Sequence, residues 1–194
     1  MKKWLGLFLV MFLLSGCQKD SGETSDLSEK VLPASSPSVS QEPAAQKVTA
    51  EDLEASVSAT VKTAKGSFTI LFYPQGAPNT VANYLEKFKS GYYKGLTFHR
   101  VENWVVQGGD PKGNGTGGGN IATELNDLPF GQWSVGVARG PDIKVSNDSQ
   151  FFICKKDCAF LTGQYTNLGK VTAGTDVIDS LAIGDKILEI VVED

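Results

Sequence analysis

Apolar and polar residues alternate over residues 57–62, where Val57, Ala59 and Val61 are separated by Ser58, Thr60 and Lys62. The alternation resumes at Phe68, Ile70 and Phe72. A period of two marks a half-buried strand, and Lys65-Gly66 between the two runs predicts a hairpin. Pro74 and Gly76 stop it. The period then changes. Pro78 suits a first helical turn, and Val81, Tyr84, Leu85 and Phe88 fall on one helical face that Ser90-Gly91 ends. Short strands are expected over 97–100, 104–107, 133–138, 150–154, 167–171 and 186–192. A second helix is expected after a Thr175 cap, with Val177, Ile178 and Leu181 on its buried face. Residues 108–119 and 140–148 read as loops, the first rich in glycine and the second polar. Many short strands with two helices favour a mainly β barrel or sandwich. Closing the barrel would remove exposed sheet edges.

The first 56 residues lack this patterning. Lys2 and Lys3 precede an almost unbroken apolar run over 4–14, too short to span a bilayer comfortably. It ends in Leu14-Ser15-Gly16-Cys17, which resembles a bacterial lipoprotein signal. That resemblance implies removal of residues 1–16, lipidation of Cys17 and an extracytoplasmic, membrane-anchored protein. Gln18 in place of Asp after the cysteine suits an outer membrane, or the outer face where one membrane is present. Residues 17–56 are rich in Ser, Pro, Ala, Glu and Lys, and cannot bury enough apolar area to offset ordering entropy. They are expected to be a flexible linker, with a weak helix at 51–56. Residues 57–194 remain, about 140 residues, the usual size of one domain.

Charge and residue counts exclude several chemistries. The net charge of −4 and the lack of a basic stripe argue against a nucleic-acid partner. One histidine, His99, rules out multi-histidine zinc sites, and without a Gly-x-Ser-x-Gly elbow it reads as structural. Gly113, Gly115 and Gly118 formally match a dinucleotide fingerprint, but no βαβ unit surrounds them. Positive-φ turns are the better account of these glycines. No cofactor and no metal are expected. Cys154 and Cys158 leave two alternatives open, a disulfide across a tight turn or a buried thiol beside a loop thiol.

Two stretches concentrate the remaining chemistry, residues 98–110 and 149–154. Phe98, Trp104, Val105, Phe151 and Phe152 can build an apolar surface. Arg100, Gln107 and Gln150 can aim hydrogen bonds beside it, the usual make-up of a small-ligand or peptide site. Phe98-His99-Arg100, Gln107-Gly108-Gly109-Asp110, Gly115-Thr116-Gly117-Gly118 and Ser149-Gln150-Phe151-Phe152-Ile153 resemble, in order and spacing, the motifs of the cyclophilins. The resemblance extends from the Ala77-Pro78-Asn79-Thr80-Val81 helix start to Gly169-Lys170-Val171. It implies a closed eight-stranded antiparallel β-barrel capped by two α-helices, with the substrate groove on its outer face. It also implies peptidyl-prolyl cis-trans isomerase activity on proline-containing polypeptides, by a chain read as a monomer.

By the same resemblance Arg100 is the catalytic arginine, braced by Gln107. Trp104, Val105, Phe152 and Leu161 line the proline pocket. Ala138, Arg139, Gln150, Phe160 and Tyr165 border the groove. Some positions depart from the family. The segment from Arg100 to Gln107 is one residue short and carries Glu102-Asn103 in place of Pro-Gly. The loop after Ala138 is about two residues longer and holds Ile143-Lys144-Val145. Phe160 stands at the tryptophan position that binds cyclosporin, so weak inhibition is expected. Tyr165 replaces a histidine. The alternative function is a proline-peptide-binding chaperone or scaffold on the same fold, without useful turnover.

Overall fold

The structure is a computed structural model, and it describes residues 57–193. The expected signal peptide, Cys17, the expected linker and the expected weak helix at 51–56 lie outside the described residues. Strand β1 (Ser58–Thr63) pairs with β2 (Gly66–Phe72), with Ser58 opposite Leu71 and Thr63 opposite Gly66. Ala59, Val61, Phe68, Ile70 and Phe72 turn inward. The Thr63 hydroxyl closes the turn. It donates to the Gly66 carbonyl at 2.9 Å and accepts from the Lys65 N–H at 3.1 Å.

Helix α1 (Pro78–Lys89) buries Val81, Tyr84 and Phe88, with Leu85 partly covered. Its N-cap is Ala77, which has no side chain able to cap. The carboxylate of Glu124 supplies the cap from 44 residues away. It accepts from the Thr80 N–H at 2.7 Å, the Thr80 hydroxyl at 2.6 Å, the Asn79 N–H at 3.2 Å and the Asn79 amide at 2.7 Å. The first N–H groups of any helix lack internal partners, and an anion there also meets the favourable end of the macrodipole.

Seven further strands follow among the described residues: β3 (Thr97–Val101), β4 (Val105–Asp110), β5 (Asn120–Ala122), β6 (Ser134–Arg139), β7 (Val145–Cys154), β8 (Asn167–Ala173) and β9 (Ile187–Glu193). A 3₁₀ turn (Ala159–Leu161) precedes β8, and helix α2 (Thr175–Ser180) follows it. The sheet path is β3-β4-β7-β6-β8-β2-β1-β9, antiparallel throughout, with β5 attached to β7.

The expected closed barrel is corrected to a curled eight-strand path whose ends do not join in a ladder. Among the described residues, β3 meets the chain just before β9 at one isolated bridge, Thr97 to Lys186, supplemented by loop hydrogen bonds such as Gly95 N–H to the Ile187 carbonyl at 2.7 Å. β3 is five residues long, and its pairing with β4 shifts register twice. Bulges of this kind bend and twist a strand away from a straight partner.

Three element boundaries also differ from the sequence expectation. β7 begins at Val145, inside the expected polar loop, because Asn120, Ile121 and Ala122 pair with Asn147, Ser146 and Val145. The polar residues there are satisfied in place: Thr123 and Ser146 share a hydroxyl bond at 2.8 Å. The glycine-rich segment gives up Gly108, Gly109 and Asp110 to β4. The cap of α2 is Gly174, at φ 75°, with Thr175 the first helical residue.

Two apolar clusters result. The interior one holds Phe68, Phe98, Tyr93 and Phe151 among others, with Phe98 and Phe151 at 6.4 Å and nearly perpendicular. The outer one holds Val105, Phe130, Phe152, Cys154, Cys158 and Leu161, with Trp104 and Tyr165 packed against it.

Candidate active site

Strand alternation sorts the aromatic residues. Phe151 points into the interior, so its neighbour Phe152 points out. Gln107 lies opposite Phe152 on one side, and Gly136 lies opposite it on the other. Arg100 lies opposite Gln107. The row Arg100, Gln107, Phe152, Gly136 thus crosses β3, β4, β7 and β6 on the outer face. Phe98 and Phe151, expected in the same apolar surface, instead belong to the core.

Arg100 reaches the outer face through a bulge. Phe98 pairs with Gly108 and Arg100 pairs with Gln107, so His99 is an extra residue on β3. In a regular strand, residues i and i+2 share a face. The extra residue breaks that rule and sends Arg100 outward while Phe98 stays in the core.

Arg100, Trp104, Val105, Gln107, Phe152 and Leu161, joined by Ala138, Arg139 and Tyr165, line a cavity of about 100 Å³. Phe152 forms its base. Phe130 stacks behind that ring at 5.7 Å and 21°, and Tyr165 meets it edge-on at 5.6 Å. Gly136 is required here, since an added Cβ would fall 2.3 Å from Phe152 Cζ. Arg139 lies across the Tyr165 ring at 4.4 Å and donates to the Gln164 and Gly140 carbonyls, both at 2.9 Å. Its guanidinium is committed to the wall. Phe160 is 67% exposed, is not among the residues lining the cavity, and packs on Trp104 at 5.8 Å between ring centres.

A polar chain runs beside the cavity. Arg100 Nη1 approaches Gln107 Oε1 at 3.5 Å, and Gln107 Nε2 donates to Gln150 Oε1 at 3.0 Å. Gln150 Nε2 donates to the carbonyls of Gly117 at 2.8 Å and Gly115 at 3.2 Å. Gln150 is buried and lines a second cavity, of about 300 Å³, that shares Gln107, Ala138 and Arg139 with the first. Its backbone is held by Asn147 Oδ1, which accepts from the Gln150 N–H at 2.8 Å, and by the Tyr84 hydroxyl, which donates to its carbonyl at 2.8 Å. A larger open groove of about 690 Å³ touches none of these residues; Lys62 and Glu189 on its wall pair at 2.8 Å.

The charges around the site have identifiable causes. Burial drives the Asp110 carboxyl up, but N–H donors from Lys112, Gly115 and Asn114 outweigh it and hold the group below its ordinary range. This carboxylate organises the glycine-rich turn. Burial also lowers the His99 pKa, and Arg100 adds to the effect while Asp110 opposes it. Neither imidazole nitrogen has a hydrogen-bond partner among the described residues. Glu102 is exposed, and its carboxyl is held low first by the Arg100 hydrogen bond and then by the Trp104 N–H. Cys154, at the end of β7, and Cys158, in the loop that follows, are free thiols and both buried, which is the alternative of a buried strand thiol beside a loop thiol and not the disulfide.

Sequence reasoning missed Glu102, Phe130 and Gly136 as parts of this site. Phe130 stands alone between Pro129 and Gly131, with no periodicity to place it. Glu102 was visible only as a departure beside Arg100.

The model of the cyclophilin type peptidyl-prolyl cis-trans isomerases matches residues 58–192. The chain belongs to that family of enzymes. A peptidyl-prolyl cis-trans isomerase of Synechococcus elongatus is 39% identical over 137 residues, covering 68% of this chain and 93% of the relative. Peptidyl-prolyl cis-trans isomerase B of Bacillus subtilis is 40% identical over 124 residues, covering 62% and 87%. Among solved structures, a Cryptosporidium parvum cyclophilin type peptidyl-prolyl cis-trans isomerase superposes with a TM-score of 0.66 at 26% identity, covering 72% of this chain and 98% of that one. The same protein has been crystallised in the presence of the dipeptide Ala-Pro.

Proposed function

We propose that this enzyme accelerates rotation about X–Pro bonds in exported proteins by binding the proline ring between Trp104, Phe152 and Leu161 and donating from Arg100 to the twisted amide. Planarity of the peptide bond comes from sharing of the nitrogen lone pair, which sets a rotation barrier of about 18–20 kcal/mol. Twisting localises that pair on nitrogen and makes it an acceptor. The N–H fork of the Arg100 guanidinium bonds the twisted amide more strongly than the planar one. No proton needs to be transferred and no covalent bond needs to break. Preorganised donors at the edge of an apolar cavity suffice. The observation that carries this reading is the guanidinium of Arg100 on the rim of the cavity based on Phe152. The Ala-Pro dipeptide with which the Cryptosporidium parvum relative was crystallised fits the same substrate class.

The reading continues to the cell surface. The enzyme acts as a monomer outside the cytoplasm, tethered by lipid on Cys17 through the linker at 17–56. Nuclear magnetic resonance exchange on an X–Pro peptide, with the full chain beside Arg100→Ala, tests the catalytic part. Acceleration by the parent and a large loss in the folded variant are expected. A folded parent with no acceleration would replace this reading with a binding module on the same fold. Metabolic labelling with a fatty acid, lost in Cys17→Ser, tests the anchor.

A further inference from the structure

Glu102 sits in the three-residue connection between β3 and β4, whose geometry is fixed by its own N–H donating to the Val105 carbonyl at 2.8 Å. Its carboxylate is divided between two partners. Oε1 accepts from Arg100 Nε at 2.7 Å, and Oε2 accepts from Trp104 Nε1 at 2.8 Å. The Arg100 guanidinium also lies 5.2 Å from the centre of the Trp104 ring. One acidic side chain therefore joins the rim arginine to the aromatic wall of the cavity.

We infer that Glu102 is a positioning residue for the isomerisation, fixing the Arg100 guanidinium so that its Nη edge is presented to the bound amide. This rests on the proposed catalytic use of Arg100. Without Glu102, the fork keeps, among the described residues, one hydrogen bond, to Gln107 at 3.5 Å, the outer limit for such a bond, and its approach to the Trp104 ring. A long side chain that is 42% exposed would then sample several rotamers, and ordering it would have to be repeated in every transition state. The carboxylate removes that step by occupying Nε, which leaves the other N–H groups for the amide. The same bond to Trp104 Nε1 sets the plane of the indole against which proline packs. Among the described residues, Arg100 on β3 is the charged group that pairs with Glu102.

The test uses the full chain and a protease-free exchange measurement on a saturating X–Pro peptide from neutral to acidic pH, with circular dichroism confirming the folded state. Glu102→Gln is expected to lower kcat about fivefold at neutral pH, as befits an exposed ion pair, with KM changed less. The parent enzyme is expected to lose kcat as the Glu102 carboxyl is protonated, and Glu102→Gln to lack that acid limb. A folded Glu102→Gln with the parent's kcat, or with the same acid limb, would overturn the positioning role. Arg100→Ala run alongside separates the two levels. If it retains activity, the catalytic reading fails; if it is inactive while Glu102→Gln is normal, only the positioning role fails.

Discussion

Phe98 and Arg100 are two residues apart on one strand and face opposite sides of the sheet, Phe98 in the interior core and Arg100 on the outer cavity. The extra residue between them is His99, whose two ring nitrogens are buried with no hydrogen-bond partner among the described residues. The bulge makes the active-site geometry, while the imidazole makes no hydrogen bond among the described residues.

His99→Leu is therefore expected to keep isomerase activity and to leave stability unchanged or raise it by about 1 kcal/mol, since an unsatisfied buried polar group is exchanged for an apolar one. The pH dependence supplies a second check. Burial holds the His99 pKa below its ordinary value, so the unfolded chain binds the proton first on acidification. Stability from this group is present above about pH 6.5 and lost as pH falls through the folded pKa. Urea unfolding between pH 7.5 and 5 should show that loss in the parent and not in His99→Leu. Equal pH slopes in the two proteins would refute the account.

Gly136 lies opposite Phe152, and a methyl group there would fall 2.3 Å from Phe152 Cζ and 2.7 Å from Phe130 Cε1. Both rings are buried and stacked, so neither can move freely. Gly136→Ala is expected to cost about 1–3 kcal/mol by overpacking. It should also weaken peptide binding, because Phe152 is displaced into the cavity. Denaturant unfolding and the KM for an X–Pro peptide measure the two effects. An unchanged KM would show that Phe152 is not the base of the proline site.

Cys154 and Cys158 are both fully buried and not bridged. Desolvation raises the pKa of each, strongly for Cys154. Reactivity requires the thiolate and access to it, and both conditions fail here. In a Cys17→Ser chain, an aromatic disulfide reagent should titrate two thiols after denaturation and react very slowly beforehand. No titratable thiol in denaturant without reductant would mean a bridge, and rapid native reaction would mean that the outer cluster is open.

How far the sequence was readable follows from what each feature depends on. The hairpin of β1 and β2 and the buried face of α1 depend on local periodicity, and both were legible. The convergence of Arg100, Trp104, Gln107, Phe152 and Leu161 on one cavity was legible through motif order. The direction of Arg100 was not, because a bulge at His99 is a property of strand pairing and leaves no periodic trace. Strand β5 and the first half of β7 were hidden by their polarity. The Asn147 side chain accepts from the Ser149 and Gln150 N–H groups of its own strand, and Ser146 shares a hydroxyl bond with Thr123, so polar residues are satisfied there and an expected loop is a strand. The open ends of the sheet were equally hidden, since closure depends on how β3 approaches β9.

Glu124 shows the same long-range dependence, and it yields the most direct stability test. Its carboxylate collects four hydrogen bonds from Asn79 and Thr80 at the start of α1, where Ala77 offers no cap. Glu124→Ala is expected to cost about 1–2 kcal/mol at pH 7, the range of a lost N-cap with its dipole contribution. Burial pushes the carboxyl up, but the bonds from Thr80 and Asn79 outweigh it and leave the folded pKa below the ordinary value. The stabilisation is then fully present above the unfolded pKa of about 4.3 and disappears as pH falls through the folded pKa. Urea titrations of both proteins at pH 7 should differ by the full amount, and the gap should close toward pH 3. A gap that stays constant over that range would show that Glu124 acts through packing alone, and that the charge at the helix start contributes nothing.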